Sequence, residues 1–167
     1  MGVNVNFLDR FRKRNTAATT LSEDRPLSAE EKAIAECLLR DAAPAEALAF
    51  LPQLDHARVT GRCSCGCPTV DLSVPPEFRV DVPPPDRPLA DARGRVDGKL
   101  VGVMLFQDAG LLSLLEVYRV EDVSDDPFGL PAVATIERMV WSDAPPKSDM
   151  TLDDFKALKG LENRRVV

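Results

Sequence analysis

The chain has 167 residues, of which 44% are hydrophobic and 29% are charged, which are the proportions of an ordinary globular protein. Its 21 Lys and Arg residues against 27 Asp and Glu residues give a formal net charge of −6, which argues against nucleic-acid binding, because phosphate backbones need clustered positive charge. A single His excludes sites built from several histidines, and no apolar run approaches the roughly 18 residues of a membrane span.

Residues 1–27 form the first distinct segment, with five basic and three acidic side chains. We expect a flexible basic arm, because terminal segments are often poorly ordered. The segment lacks the long apolar run of a secretory signal. The sequence therefore predicts a cytoplasmic protein, whose cysteines that compartment would keep reduced.

The first predicted helix begins after Ser28, because Ser28 and Glu31 have the S-x-x-E spacing of a capping box. Apolar residues then recur at helical spacing. Pro44 suits the first turn of a second helix, which Pro52 must bend or end. Residues 28–55 are therefore predicted to form a helical hairpin that packs on a sheet.

From residue 57 the apolar pattern alternates, which predicts strands. One strand is expected around Val59 and a second over residues 70–74. A third, over residues 78–82, is flanked by prolines that confine it to a sheet edge. Residues 83–98 are rich in proline, glycine and charge, and we expect a long loop there.

The strongest strand signal is a pair of apolar runs, 100–106 and 111–120, around a short turn that contains Asp and Gly. Because both runs are apolar at nearly every position, we expect this hairpin in the centre of the sheet, covered on both faces. Residues 121–131 are predicted to form an acidic loop. Residues 132–141 are interpreted as a strand in preference to a helix.

These elements predict an α+β fold, with an N-terminal helical hairpin packed on a mostly antiparallel sheet. A second capping motif opens a short C-terminal helix that ends before Gly160. The expected organisation is the arm over residues 1–27, a single α+β domain over 28–142, and a C-terminal helix and tail over 143–167.

The most distinctive feature is the cysteine cluster, which comprises Cys63, Cys65 and Cys67. In an extended chain alternate side chains share a face, so the three sulfurs would point the same way. Three soft ligands on one side suit a metal ion such as Zn²⁺, which takes four nitrogen or sulfur ligands in structural sites. His56 and Cys37 are the candidates for the fourth ligand.

The spacing also allows other interpretations. Common zinc sites have the spacing C-x₂₋₄-C, whereas an extended C-x-C separates its two sulfurs by about 6–7 Å. A metal site would therefore need a kink in the chain, and Gly66 is suited to form one. We favour a packed arrangement, in which at least two of the three cysteines are buried against the helix at 28–41 and Cys37 faces them. A reactive thiol supported by His56 is a third interpretation.

Two carboxylates are further candidates for a functional site. Glu116 lies within an apolar strand, where a carboxylate either pairs with a cation or has a raised pKa, and Asp71 lies on the strand after the cluster. A structural ion pair is favoured over a catalytic pocket at Glu116. The chain has no P-loop, G-x-G-x-x-G, H-E-x-x-H or G-x-S-x-G motif, so we favour a protein without catalytic activity over an enzyme.

The C-x-C-G-C-P segment at residues 63–68 precedes a strand, and an L-E-x-Y strand follows at 115–118. Together with the L-S-x-E-E helix start at 27–31, this order resembles a group of small bacterial proteins without an established activity. The resemblance covers residues 26–119, and it implies a bacterial cytosolic α+β domain without assigning catalytic residues. The architecture is also similar to that of small acidic bacterial immunity proteins, which act by binding.

The function expected from the sequence is therefore protein binding, in one form as an immunity-type inhibitor. The net charge of residues 28–167 is −8, and acidic inhibitors associate faster with basic targets through electrostatic steering. One alternative is a small domain stabilised by zinc through the cysteine cluster and His56. The other is an enzyme whose pocket surrounds Glu116. The sequence makes no prediction of the oligomeric state.

Overall fold

The main element of the fold is an antiparallel sheet. A computed structural model describes residues 20–82, 88–120 and 126–138. Within them a seven-stranded sheet has the order β1-β2-β3-β6-β5-β4-β7, with every paired neighbour antiparallel. The strands are β1 (Thr20–Pro26), β2 (Arg58–Cys63), β3 (Val70–Ser73), β4 (Ala90–Val96), β5 (Lys99–Asp108), β6 (Leu111–Arg119) and β7 (Glu137–Arg138). The architecture is mixed α+β, as predicted, and the sheet predominates.

The predicted capping box is present at the start of helix α1 (Ala29–Cys37). The Glu31 amide donates to Ser28 Oγ at 3.1 Å, and the Ser28 amide donates to the Glu31 carboxylate at 2.7 Å. The Arg25 guanidinium adds two hydrogen bonds of 2.7 Å to the same carboxylate, which joins β1 to the helix. The helix is therefore held at its N-terminal end by groups from two elements.

The expected helical hairpin is wrong in its second half. Helix α1 continues as a π turn over Leu38–Ala42, and the following segment, Ala45–Asp55, is a 3₁₀ helix. Pro52 lies inside this segment. Its ring would clash with a carbonyl of the preceding α turn and it has no amide hydrogen to donate, so a regular α-helix is disfavoured there. The layer over the sheet thus contains one α-helix and an irregular return.

The predicted β5–β6 hairpin is confirmed, and it lies in the central part of the sheet. Its two-residue turn has positive φ at Ala109 (48°) and Gly110 (82°), the conformation that suits the twist of antiparallel strands. Every residue from 101 to 107 on β5 is buried, so this strand is covered on both faces. The apolar run correctly indicated its central place.

A buried amide ties the 3₁₀ segment to this turn. Gln53 is 1% exposed, and its Nε2 donates to the Phe78 carbonyl at 3.0 Å and the Gly110 carbonyl at 2.8 Å. Its Oε1 accepts from the Leu112 amide at 2.8 Å. One side chain therefore satisfies three backbone groups.

The hydrophobic core lies between the helical layer and one face of the sheet. Its members on the central strands include Val59, Val70, Leu72, Ala92, Val103, Leu105, Leu115 and Val117. The alternate residues of these strands form the opposite side, here called the second face, on which Met104 and Phe106 are also buried. Because side chains alternate across a strand, cross-strand pairs assign each residue to one face.

Several strand predictions need correction. Residues 78–82 contain no strand, because Pro76–Phe78 forms a 3₁₀ turn that the amide of Phe78 closes onto Pro75. The loop expected over residues 83–98 is wrong for Ala90–Val96, which is strand β4. Of the strand expected over residues 132–141, the described part, 132–138, contains the two residues of β7 after a 3₁₀ turn, and 139–141 lie outside the described residues. Strand β1 occupies part of the segment expected to be a flexible arm.

The remaining predictions on the termini and the acidic loop fall on residues that the structure does not describe. Residues 1–19 of the arm, 121–125 of the loop, and the C-terminal helix and tail over 143–167 all lie outside the described ranges. In the described ranges, no helix has the length and apolar character that crossing a membrane requires.

Candidate metal centre

The cysteine cluster lies on the connection between β2 and β3. Cys63 is the last residue of β2, and its amide donates to the Thr69 carbonyl at 3.2 Å, which closes the base of the loop. Thr69 is 8% exposed, and its Oγ1 accepts from the Val117 amide at 3.0 Å and donates to the Val117 carbonyl at 3.2 Å. The loop that contains the sulfurs is therefore anchored to central strand β6.

Gly66 supplies the kink that a metal site would need. Its φ is +85°, a conformation that is costly for residues with a side chain. A Cβ built at this position would lie 3.0 Å from Cγ of Pro127, so the loop also packs closely against the segment that follows β6. The chain turns at this point and does not keep the extended conformation that would separate the sulfurs.

The turn brings the three sulfurs together. The Sγ atoms of Cys63, Cys65 and Cys67 all lie within 4.8 Å of one another. Sγ of Cys63 and Sγ of Cys65 are 2.8 Å apart, and the Cys67 amide donates to Cys65 Sγ at 3.5 Å. A loop amide pointing at sulfur would stabilise a thiolate, the form of cysteine that binds metals.

The packed arrangement favoured from the sequence is wrong. Cys65 is exposed and Cys63 and Cys67 are half-buried, so none of the three belongs to the buried core. All four cysteines of the chain are free thiols in the structure. The loop stands beyond the end of β2, and its side chains therefore do not continue the buried face of that strand.

The two sulfurs in closest contact differ in acidity. Burial raises the pKa of Cys63, and its hydrogen bond to Cys65 raises it further, to about 12. Burial also acts to raise the pKa of Cys65, but the hydrogen bonds from Cys63 and from the Cys67 amide outweigh it, so that the pKa of Cys65 is lowered. Of the two thiols, Cys65 is therefore the one that loses its proton first.

The two candidates for a fourth ligand lie elsewhere. His56 precedes β2, whereas Cys63 ends it, and a strand advances by about 3.3 Å per residue. The His56 ring stacks on Phe78, with ring centroids 3.7 Å apart. Sγ of Cys37, at the end of α1, lies 3.6 Å from Oδ2 of Asp41. In the described part of the chain, the metal-ligating group therefore consists of the three sulfurs of the cluster.

Glu116 and Asp71 lie together on the second face, apart from the cysteine cluster. Asp71 is opposite Leu114 across β3 and β6, so Glu116 is its diagonal neighbour, and both are half-buried. Burial raises the pKa of Tyr118, and the nearby charges of Asp91 and Glu116 raise it further. The sequence did not indicate Asp91 as a neighbour of Glu116, because its strand was interpreted as a loop.

Comparison with known proteins gives no assignment for this arrangement. No protein-family model matches the chain, and no match was found among the curated proteins or the solved structures. The resemblance drawn from the C-x-C-G-C-P segment stays a prediction.

Proposed function

We propose that this protein binds a thiophilic metal ion through the cysteine cluster. The observation that carries the proposal is the convergence of three sulfurs within 4.8 Å on one anchored loop. With Zn–S bonds of about 2.3 Å and tetrahedral angles, ligand sulfurs lie roughly 3.8 Å apart. The observed separations, 2.8 Å between Cys63 and Cys65 and at most 4.8 Å for any pair, lie within about 1 Å of that spacing.

The acidity of the pair supports this chemistry. Cysteine binds metals as the thiolate, and the lowered pKa of Cys65 makes it the first ligand available. Cys63, with a pKa of about 12, must give up its proton to the solvent when the ion binds. Metal affinity should therefore increase with pH. A reducing cytoplasm, which is the location expected from the sequence, would keep the thiols available.

The domain would be folded before the ion binds. The loop lies outside the hydrophobic core, and its base is closed by hydrogen bonds of Cys63 and Thr69. Small metal domains that depend on their ion lack a core of this kind. Removal of the metal should therefore leave the sheet intact and lower the free energy of unfolding only by the free energy that metal binding contributes.

Metal titration of reduced protein tests the proposal. Protein purified without chelator is freed of metal and titrated with Co²⁺, whose thiolate charge-transfer absorption reports sulfur ligation, and Zn²⁺ is then used to displace it. We expect one ion per chain, and the Cys→Ser variants at positions 63, 65 and 67 should lose the absorption. Cys37→Ser is the matched control and His56→Asn a second one, since both residues lie apart from the sulfurs. Absence of sulfur-bound Co²⁺ in the wild type, together with no retention of any other thiophilic ion, would refute the proposal.

We also propose a second function, that of an acidic protein that binds a protein partner, for which the net charge of −6 is the support. On the second face, Asp71, Asp91 and Glu116 add acidic groups to the sheet surface beside Arg93. Copurification from the native host would test it. A strictly monomeric protein that retains no partner would count against it, and the enzyme alternative around Glu116 and Asp71 stays a prediction.

A further inference from the structure

The composition of the cluster also indicates which ion it takes, and this inference rests on the proposed function. We infer that the physiological ligand is Cu⁺, held by the three thiolates of Cys63, Cys65 and Cys67 in trigonal coordination. The ion is bound without a change of oxidation state, and each cysteine that is still protonated releases its proton to the solvent.

The cysteine and histidine donors of the chain are few. The whole chain has four cysteines and one histidine. Three of the cysteines are in the cluster, Cys37 is hydrogen-bonded to Asp41 on the helix, and His56 is stacked on Phe78. Among the described residues, no carboxylate belongs to the group formed by the three sulfurs. In the part of the chain that the structure describes, the site therefore offers sulfur alone, and three sulfurs rather than four.

Coordination chemistry then separates the two common thiophilic ions. Structural Zn²⁺ is almost always tetrahedral with four protein ligands, and a zinc site with three protein ligands keeps one position open for water or substrate. Cu⁺ is softer and carries one charge less, and three thiolates complete a trigonal coordination shell around it. Thiolate ligands select Cu⁺, Zn²⁺ and iron–sulfur clusters, and of these Cu⁺ is the one whose coordination shell three sulfurs complete.

The shape of the loop agrees with a three-coordinate ion near the surface. Gly66 packs against Pro127 on one side, whereas Cys65 is exposed on another. The hydrogen bonds of Thr69 hold the base of the loop in place before an ion arrives. Such a site is ready to bind, and its exposed ligand leaves the ion within reach of competing thiols.

A competition experiment under anaerobic conditions tests the inference. Reduced full-length protein is mixed with equal amounts of Cu⁺ and Zn²⁺ in excess glutathione and then desalted, and the retained metals are measured. We expect one copper and no zinc per chain, with X-ray absorption at the copper edge requiring three sulfur neighbours. Each Cys→Ser variant within the cluster should lower Cu⁺ affinity, measured against bicinchoninate, by at least the roughly 10–100-fold seen when outer-shell partners are removed.

The outcomes separate this inference from the proposed function. Retention of zinc in place of copper, or a copper spectrum that requires nitrogen or oxygen neighbours, would overturn the assignment to Cu⁺ and leave the metal site in place. Retention of neither metal, together with no Co²⁺ ligation, would overturn both. Cys37→Ser should bind Cu⁺ as the wild type does, and circular dichroism of each variant shows that the sheet has formed.

Discussion

The Thr69 hydroxyl links the cysteine loop to the core, and replacing it tests how firmly the site is prearranged. The change Thr69→Val keeps the size and the β-branched shape of the side chain but removes both hydrogen bonds to Val117. Pairing between β3 and β6 covers Val70 and Asp71, so the sheet ladder does not replace these bonds. The amide and carbonyl of Val117 would remain buried without this partner.

The expected cost follows from the unpaired groups. A buried donor or acceptor left without a partner costs about 1–3 kcal/mol, and we expect Thr69→Val to lower the free energy of unfolding by about 2–3 kcal/mol. The control Thr69→Ser keeps the hydroxyl and loses one methyl group, for about 0.8 kcal/mol. Because the loop base is released, the valine variant should also bind Cu⁺ about tenfold more weakly, at the lower end of outer-shell effects.

Urea unfolding followed by circular dichroism measures the first effect, and competition with bicinchoninate the second. The valine and serine variants must differ in both measurements if the hydroxyl acts as argued. A valine variant within about 0.5 kcal/mol of the wild type, the usual range of surface substitutions, would refute the reasoning. Loss of stability with unchanged metal affinity would show that the anchor supports the fold and not the site.

Three further predictions concern the turn, the loop and the helix cap. Gln53→Leu should lower the free energy of unfolding by about 2–3 kcal/mol, measured in urea, because the Leu112 amide loses its acceptor; a neutral result would contradict the network. Gly66→Ala should cost about 1–2 kcal/mol and weaken Co²⁺ binding, because φ is +85°. Burial acts to raise the pKa of Glu31, but the hydrogen bonds from Arg25 and Ser28 outweigh burial, so that the pKa in the folded state is lowered. The charged carboxylate therefore stabilises the fold at pH values above the ordinary pKa of about 4.3. This stabilisation is lost as the pH falls through the lower pKa of the folded state. Unfolding of the wild type should therefore depend more steeply on pH below about 4 than that of Glu31→Gln, and equal slopes would contradict this.

Elements with a local signal could be predicted from the sequence. The capping box needs two residues at fixed spacing, and the β5–β6 hairpin combines two apolar runs with a turn that contains glycine. Strand β4 alternates between buried and half-buried residues. The residues on its core face are Ala90, Ala92 and Gly94, whose small side chains add little apolar signal to the sequence. Strand β1 is mostly polar, and its pairing depends on β2 and on the ion pair between Asp24 and Arg58.

The candidate site was predictable in its residue types and not in its geometry. Alternation along a strand was expected to align the three sulfurs, and a kink at Gly66 was expected only for a metal site. Strand β2 ends at Cys63, and the turn at Gly66 brings the sulfurs together. The close contact with Pro127 comes from a segment some 60 residues away, which no local pattern reveals. Likewise, the position of His56 in the sequence makes it a candidate ligand, whereas the length of β2 separates it from the cluster.

The arrangement of the loop separates folding from metal binding. The base of the loop is held by the hydrogen bond from the Cys63 amide to the Thr69 carbonyl, by the Thr69 hydrogen bonds to β6 and by the packing of Gly66, and these three contacts use no cysteine sulfur. The sulfurs therefore remain available to an ion while the backbone is already in place. Because less loop entropy is then lost on binding, a three-ligand site can compete with flexible cellular thiols. The same reasoning explains why serine at these positions should remove the metal and leave the fold.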